Sequence, residues 1–232
     1  MKVRTALLTA VMAVAMVGQA ADWNLGVTPS STWNGWVNAF ELDGTTFATG
    51  FGEATATGRG DFTGSTLNLR PNTRLYDETI LDAFWVNQTT LEANKVIEFN
   101  MYQEYAGTIG DTVNFNWSGL SSDLSGYEVV GFIKVLDAFA SWATTQIETK
   151  PVVVGSSGQL NLTVADAGAG DEFIQAGFWI KGLAVSGGAN SLGIPADPAA
   201  ATSIQIIPEP ATIGLMGIAG LGMFVARRRL KV

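Results

Sequence analysis

The chain has 232 residues and a formal net charge of −8, and it contains neither cysteine nor histidine. Disulfides, thiol or imidazole metal sites, and Ser-His-Asp or Cys-His nucleophiles are therefore excluded. The acidic balance repels nucleic acid and anionic headgroups, so no nucleic-acid partner is expected.

At the front, Lys2 and Arg4 precede an apolar run from Ala6 to Val17. Gly18-Gln19-Ala20 then offers small residues at both ends of an A-x-A-like cleavage site. We expect residues 1–20 to be a signal peptide, cut between Ala20 and Ala21. Without Lys2, Arg4 and the basic C-terminal residues, the exported part is more acidic than the whole chain.

Residues 21–185 suffice for one domain with its own core, and no long amphipathic helical pattern interrupts them. Asp22 to Thr90 is irregular. Thr45 to Thr57 reads as two short Thr-rich strands joined near Gly50-Phe51-Gly52. A strand from about Phe62 ends at Leu67 and Leu69, and Arg70-Pro71-Asn72 turns the chain.

Beyond Thr90, alternation dominates. Ile97, Phe99 and Met101 alternate with Glu98, Asn100, Tyr102 and Glu104. Val113, Phe115 and Trp117 alternate with Asn114, Asn116 and Ser118, and Leu160, Leu162 and Val164 with Asn161, Thr163 and Ala165. Each predicts a half-buried strand. Tyr127 to Leu136 and Phe173 to Leu183 are apolar on both faces, as central strands are. Gly, Ser and Asp clusters separate these runs, which predicts an all-β, antiparallel β-sandwich. Its core should combine Ile97, Phe99, Met101, Val113, Phe115, Ile133, Leu160 and Leu162. Residues 186–206 read as a linker, with Ile204, Ile206 and Ile207 as a last edge strand.

Exposed aromatics are the first candidates for binding, because sugar rings stack on them. Strand parity turns Tyr102 and Trp179 outward, and Trp85 stands in a loop or short strand, whereas Trp33, Trp36 and Trp117 are assigned to the core. Asp166 with Asp171 and Glu172, or Asp77, Glu78 and Asp82, supply oxygens suited to Ca²⁺. Neither set fits the D-x-[DN]-x-[DN]-G loop, so solvated charge is the favoured reading and no other cofactor is expected. No feature marks a raised-pKa carboxylic acid, and no enzyme activity is expected. Asn87-Gln88-Thr89, Asn116-Trp117-Ser118 and Asn161-Leu162-Thr163 match the glycosylation triplet but read as polar strand or turn residues. Thr55-Ala56-Thr57 is one copy of a Thr-x-Thr step, too few for an ice-binding array.

The C-terminus holds three elements in order: Pro208-Glu209-Pro210, the uncharged apolar run Ala211 to Ala226, and the basic cluster Arg227, Arg228, Arg229 and Lys231. As a helix the run is about 24 Å long at ~1.5 Å per residue, a short membrane span that snorkelling arginines extend. Arginines beyond it stay on the cytoplasmic side and place everything upstream outside. The prolines hold Glu209 on extended backbone just outside the membrane, within a processing enzyme's reach.

Residues 207–232 resemble the PEP-CTERM sorting signal, a tail type also catalogued as an ice-binding protein C-terminal domain. The resemblance implies a transient inner-membrane anchor, processing by an exosortase-type membrane peptidase, and delivery to the cell surface or extracellular matrix. Trp33 to Phe40, Leu67 to Thr73, Phe84-Trp85, Asn94-Lys95 and Val130 to Lys134 resemble PEP-CTERM proteins whose ectodomains are jelly-roll sandwiches like carbohydrate-binding modules. That implies a non-catalytic surface or matrix protein contacting exopolysaccharide. A lectin-like module is the alternative, with a glycan hydrolase or an ice-binding protein more remote.

Overall fold

The computed structural model describes residues 20–54, 60–138, 141–165, 172–201 and 203–209. Expectations on residues 1–19 and 210–232, on Thr55-Ala56-Thr57, and on Asp166 and Asp171 lie outside them. Among the described residues, no helix is long and apolar enough to cross a membrane.

In chain order the elements are β1 (Asp22–Gly26), β2 (Asn34–Phe40), β3 (Phe47–Gly52), β4 (Gly60–Thr63), β5 (Thr66–Leu69) and the short helix α1 (Arg74–Glu78). There follow β6 (Val96–Gly107), β7 (Thr112–Ser122), β8 (Glu128–Asp137), β9 (Ala143–Pro151), β10 (Ser157–Thr163), β11 (Glu172–Leu183) and β12 (Ile204–Ile207). One six-stranded sheet runs β3-β2-β6-β11-β8-β9, antiparallel throughout. In the other, β10 lines one edge of β7, while β1 and β12 share the opposite edge end to end. β5 and β4 continue beyond β12. The all-β sandwich is as expected, except that β1 joins β7 in parallel.

The sheets meet through the alternating residues. Val113, Phe115 and Trp117 of β7, with Leu160 and Leu162 of β10, pack against Ile97, Phe99 and Met101 of β6, Ile133 of β8 and Phe178 of β11. Phe115 and Trp117 lie 5.1 and 5.5 Å from the Phe178 ring. Trp117 is fully buried and fits only because glycines flank it. A Cβ on Gly131 would approach its Cη2 to 2.5 Å, and one on Gly158 its Cε2 to 2.0 Å. Those glycines let the largest core side chain reach from one sheet to the other.

Several local readings change. The strand placed from Phe62 to Leu69 is the hairpin β4–β5, turned at Gly64, which takes a positive φ of 61°. The Thr-rich stretch yields the single strand β3 among its described residues. β12 is no edge strand, because it pairs with β7 on one side and β5 on the other.

Residues 186–201 are not a free linker either. Buried Asp77 on α1 accepts hydrogen bonds from Ser186 Oγ and from Gly187 N, both at 2.8 Å. Asp77→Ala leaves those donors facing an apolar side chain, and should cost about 1–3 kcal/mol of stability. Hydrogen exchange at the Gly187 amide checks this. Accelerated exchange is expected there before any loss of protection on β6.

Candidate functional site

The outer face of the sheet β3-β2-β6-β11-β8-β9 carries the richest convergence of polar and aromatic groups. Because Val37, Ala39, Phe99, Met101, Ala176 and Phe178 point inward, their neighbours point out. The register aligns Trp36 with Asn100 and Trp179, and Asn38 with Glu98 and Lys181. It also aligns Glu104 with Gln175 and Lys134. A groove of about 590 Å³ follows, lined by Trp36, Asn38, Asn100, Tyr102, Lys134 and Trp142, with Glu104, Leu136, Ser141, Thr144 and Gln175 completing it.

A connected network forms its floor. Trp36 Nε1 donates to Asn38 Oδ1 at 2.9 Å, and Asn38 Nδ2 donates to Glu98 Oε1 at 2.9 Å. Asn100 Nδ2 reaches the same oxygen at 3.0 Å, while Lys134 Nζ donates to Asn100 Oδ1 at 3.0 Å. Lys181 pairs with the other Glu98 oxygen at 3.7 Å, and Gln175 Nε2 donates to Glu104 Oε2 at 2.7 Å. Burial pushes the Lys134 ammonium below the ordinary lysine range, against the opposing pull of Glu98. Burial, and then the charge of Glu104, raise the Tyr102 hydroxyl, so it remains a neutral donor.

Two indoles stand exposed on either side, with β6 and β11 between them. Trp36 on β2 is 41% exposed, which corrects its assignment to the core. Trp142, in the turn between β8 and β9, is 54% exposed and packs against Phe173 at 5.0 Å. Ser141 and Trp142 both take left-handed backbone, with φ of 56° and 61°, held in part by Trp142 N donating to Asp137 O at 2.9 Å. Such conformations cost energy in non-glycine residues and persist where the surroundings enforce them. Beyond Trp36, Tyr102 and Glu104, a recess of about 470 Å³ continues toward Glu53. Glu53 is held there by Arg74 at 2.8 Å and Asn72 at 2.9 Å.

The three aromatics named from sequence fare differently. Tyr102 lines the groove but is only 8% exposed, so it offers a floor rather than a platform. Trp179 shares the face; its ring stacks on Phe132 at 5.4 Å, and Lys134 Nζ lies within 5.3 Å of both ring centres. Its Nε1 is buried without a hydrogen-bond partner among the described residues. Trp85 is apart from the groove, packed edge-on against Phe51 and Phe84 at the rim of the core. Sequence parity held the signal for Trp36, since inward Val37 and Ala39 force it out. Nothing in the sequence marked Trp142, whose position depends on the turn.

Of the acidic residues named from sequence, Asp77, Glu78 and Asp82 each have separate partners. Asp77 is occupied by Ser186 and Gly187, Glu78 pairs with Arg74 at 3.0 Å, and Asp82 accepts from Phe84 N at 2.9 Å. Among the described residues, no three acidic side chains are placed to hold a metal. A depression of about 540 Å³ beside α1, lined by residues 78–83 and Ser191, has no aromatic ring among those lining residues.

Comparison with known proteins bears on the C-terminal end of the chain rather than on the groove. No curated protein matches it. A solved structure titled "CBM4 structure and function" is similar over 65% of this chain and 75% of its own, at 11% identity and a TM-score of 0.29. At the C-terminus, Pro208 and Glu209 follow directly on β12, Glu209 being exposed. Residues 207–229 match the PEP-CTERM protein-sorting motif, which implies an exported protein with a membrane-anchored intermediate that an exosortase processes.

Proposed function

We propose that the protein is a non-catalytic surface or matrix component that binds extracellular polysaccharide in the groove between Trp36 and Trp142. The observation that carries this is the pairing of two exposed indoles with a polar floor. Sugar rings present apolar faces to stack and hydroxyls to hydrogen-bond, and Trp36, Trp142, Asn38, Asn100, Lys134 and Tyr102 offer both kinds of contact. The groove is open along the sheet, which suits a chain segment. A catalytic reading finds less support. Glu98 is engaged by two amides and Lys181, and Glu104 by Gln175, so neither carboxylate stands free to serve as an acid beside a nucleophile.

Affinity electrophoresis of the exported protein through gels containing the host's exopolysaccharide tests the reading. Retardation is expected, without release of reducing ends. Free mobility in every polysaccharide would leave a purely structural matrix role, and reducing ends would point to a hydrolase.

The sorting reading has its own measurement. Cleavage near Pro208-Glu209-Pro210 should remove Arg227 to Val232 from surface-released molecules, as intact mass would show. Retention of that tail in every recovered molecule would mean a lasting anchor.

A further inference from the structure

We propose that Asp111 receives the α-amino group freed by cleavage between Ala20 and Ala21, so that export processing completes an ion pair absent from the uncut chain. The proposal rests on the cleavage position read from the sequence. Ala21 N lies 2.7 Å from Asp111 Oδ1, in the turn joining β6 to β7. Asp111 Oδ2 accepts from Thr108 N at 3.0 Å and from Trp23 Nε1 at 3.2 Å. Thr112 N donates to Ala21 O at 2.9 Å, and β1 then continues alongside β7 from Asp22 opposite Thr112. The Ala21 backbone is thus held from both sides, although Ala20 and Ala21 are both exposed.

What makes the arrangement unusual is the carboxylate. Asp111 is only 2% exposed, yet among the described residues no lysine or arginine pairs with it. Burial raises its pKa, but the donors on Ala21, Thr108 and Trp23 outweigh that and hold it below the usual carboxylate value. A buried anion with neutral donors gains from a cation at hydrogen-bond distance. Hydrolysis supplies one. Water breaks the Ala20–Ala21 peptide bond, its oxygen passes to the Ala20 carboxylate, and the Ala21 nitrogen leaves as an amine that is protonated at neutral pH.

Among the described residues, few other titratable groups lie around the site; buried Glu172, on β11, pairs opposite Gly107 where the turn begins. Asp22 on β1 adds a second negative charge, and Tyr105 on β6, 5.1 Å from the Trp23 ring, is kept neutral by burial. β7 and β10 carry no titratable side chain. Pairing raises the amine above the ~8 of a free α-amino group. Its stabilisation is therefore complete below about pH 8 and is lost as pH rises through the folded value.

The test uses the full exported chain, purified in detergent. Intact mass should first show Ala21 as the leading residue. Acylation of the α-amine should then run roughly tenfold slower than in Asp111→Asn, whose amide gives the ammonium no counter-charge. Melting temperature should fall between about pH 8 and 10 in the parent. It should hold in a chain with Gly-Ser inserted after Ala20, whose amine is displaced from Asp111. Should Asp111→Asn fail to fold, the insertion comparison still decides. A different leading residue overturns the cleavage position and the proposal with it. Ala21 in the lead with parallel pH profiles overturns the pairing alone.

Discussion

Replacing Trp36 and Trp142 together by alanine is expected to reduce polysaccharide affinity by on the order of a hundredfold, and each alone by roughly tenfold. Exposure decides that these two, rather than Tyr102 or Trp179, are the variants to make. Trp36 and Trp142 are 41% and 54% exposed, whereas Tyr102 is 8% exposed. A ring that is already open to solvent keeps its face free for a sugar, and its removal leaves no core cavity. Trp36→Ala gives up the hydrogen bond to Asn38 and Trp142→Ala the contact with Phe173, both near the surface. Thermal stability should therefore change little while binding falls. Trp179→Ala should do the reverse in part, because it removes the stack on Phe132 that lies under Lys134. Calorimetry paired with melting curves separates the two effects.

The largest effect on stability is expected from Trp117→Ala. The side chain bridges the sheets and contacts the rings of Phe115 and Phe178. Flanking glycines cannot fill the space it leaves, so the site collapses poorly, and a loss of about 3–5 kcal/mol is expected. Gly158→Ala attacks the same joint from outside, since its Cβ would lie 2.0 Å from the Trp117 ring. Equilibrium denaturation of both variants checks the claim. An unchanged midpoint for either would show that the sheets do not depend on that contact.

These expectations also show why some of the molecule was legible in its sequence and some was not. β7 and β10 were readable because one face of each is core and the other is solvated, so burial tracks alternation. β6 has the same alternation, but Glu98, Asn100 and Tyr102 on its outer face are themselves buried among one another. Their polarity reflects a groove floor rather than water, a distinction that only neighbouring strands reveal. β9 gave no signal, since it is exposed along nearly its whole length and owes its form to pairing with β8. β12 looked like an edge because it is short and follows a Pro- and Gly-rich stretch. Its isoleucines nevertheless close the gap between β7 and β5, and Ile204 and Ile206 are buried there. The groove's floor followed from parity on β6 and β11. Its walls did not, because Trp142 is set by a left-handed turn and its relation to Trp36 by the strand order.

The measurement that bears most directly on the whole account is affinity electrophoresis of the exported protein beside its Trp36→Ala/Trp142→Ala variant, in gels containing the host's own exopolysaccharide. The account predicts retardation of the parent and near-free mobility of the variant at equal melting temperature. Equal retardation of both would place the binding elsewhere on the molecule, and no retardation of either would contradict the groove's proposed role.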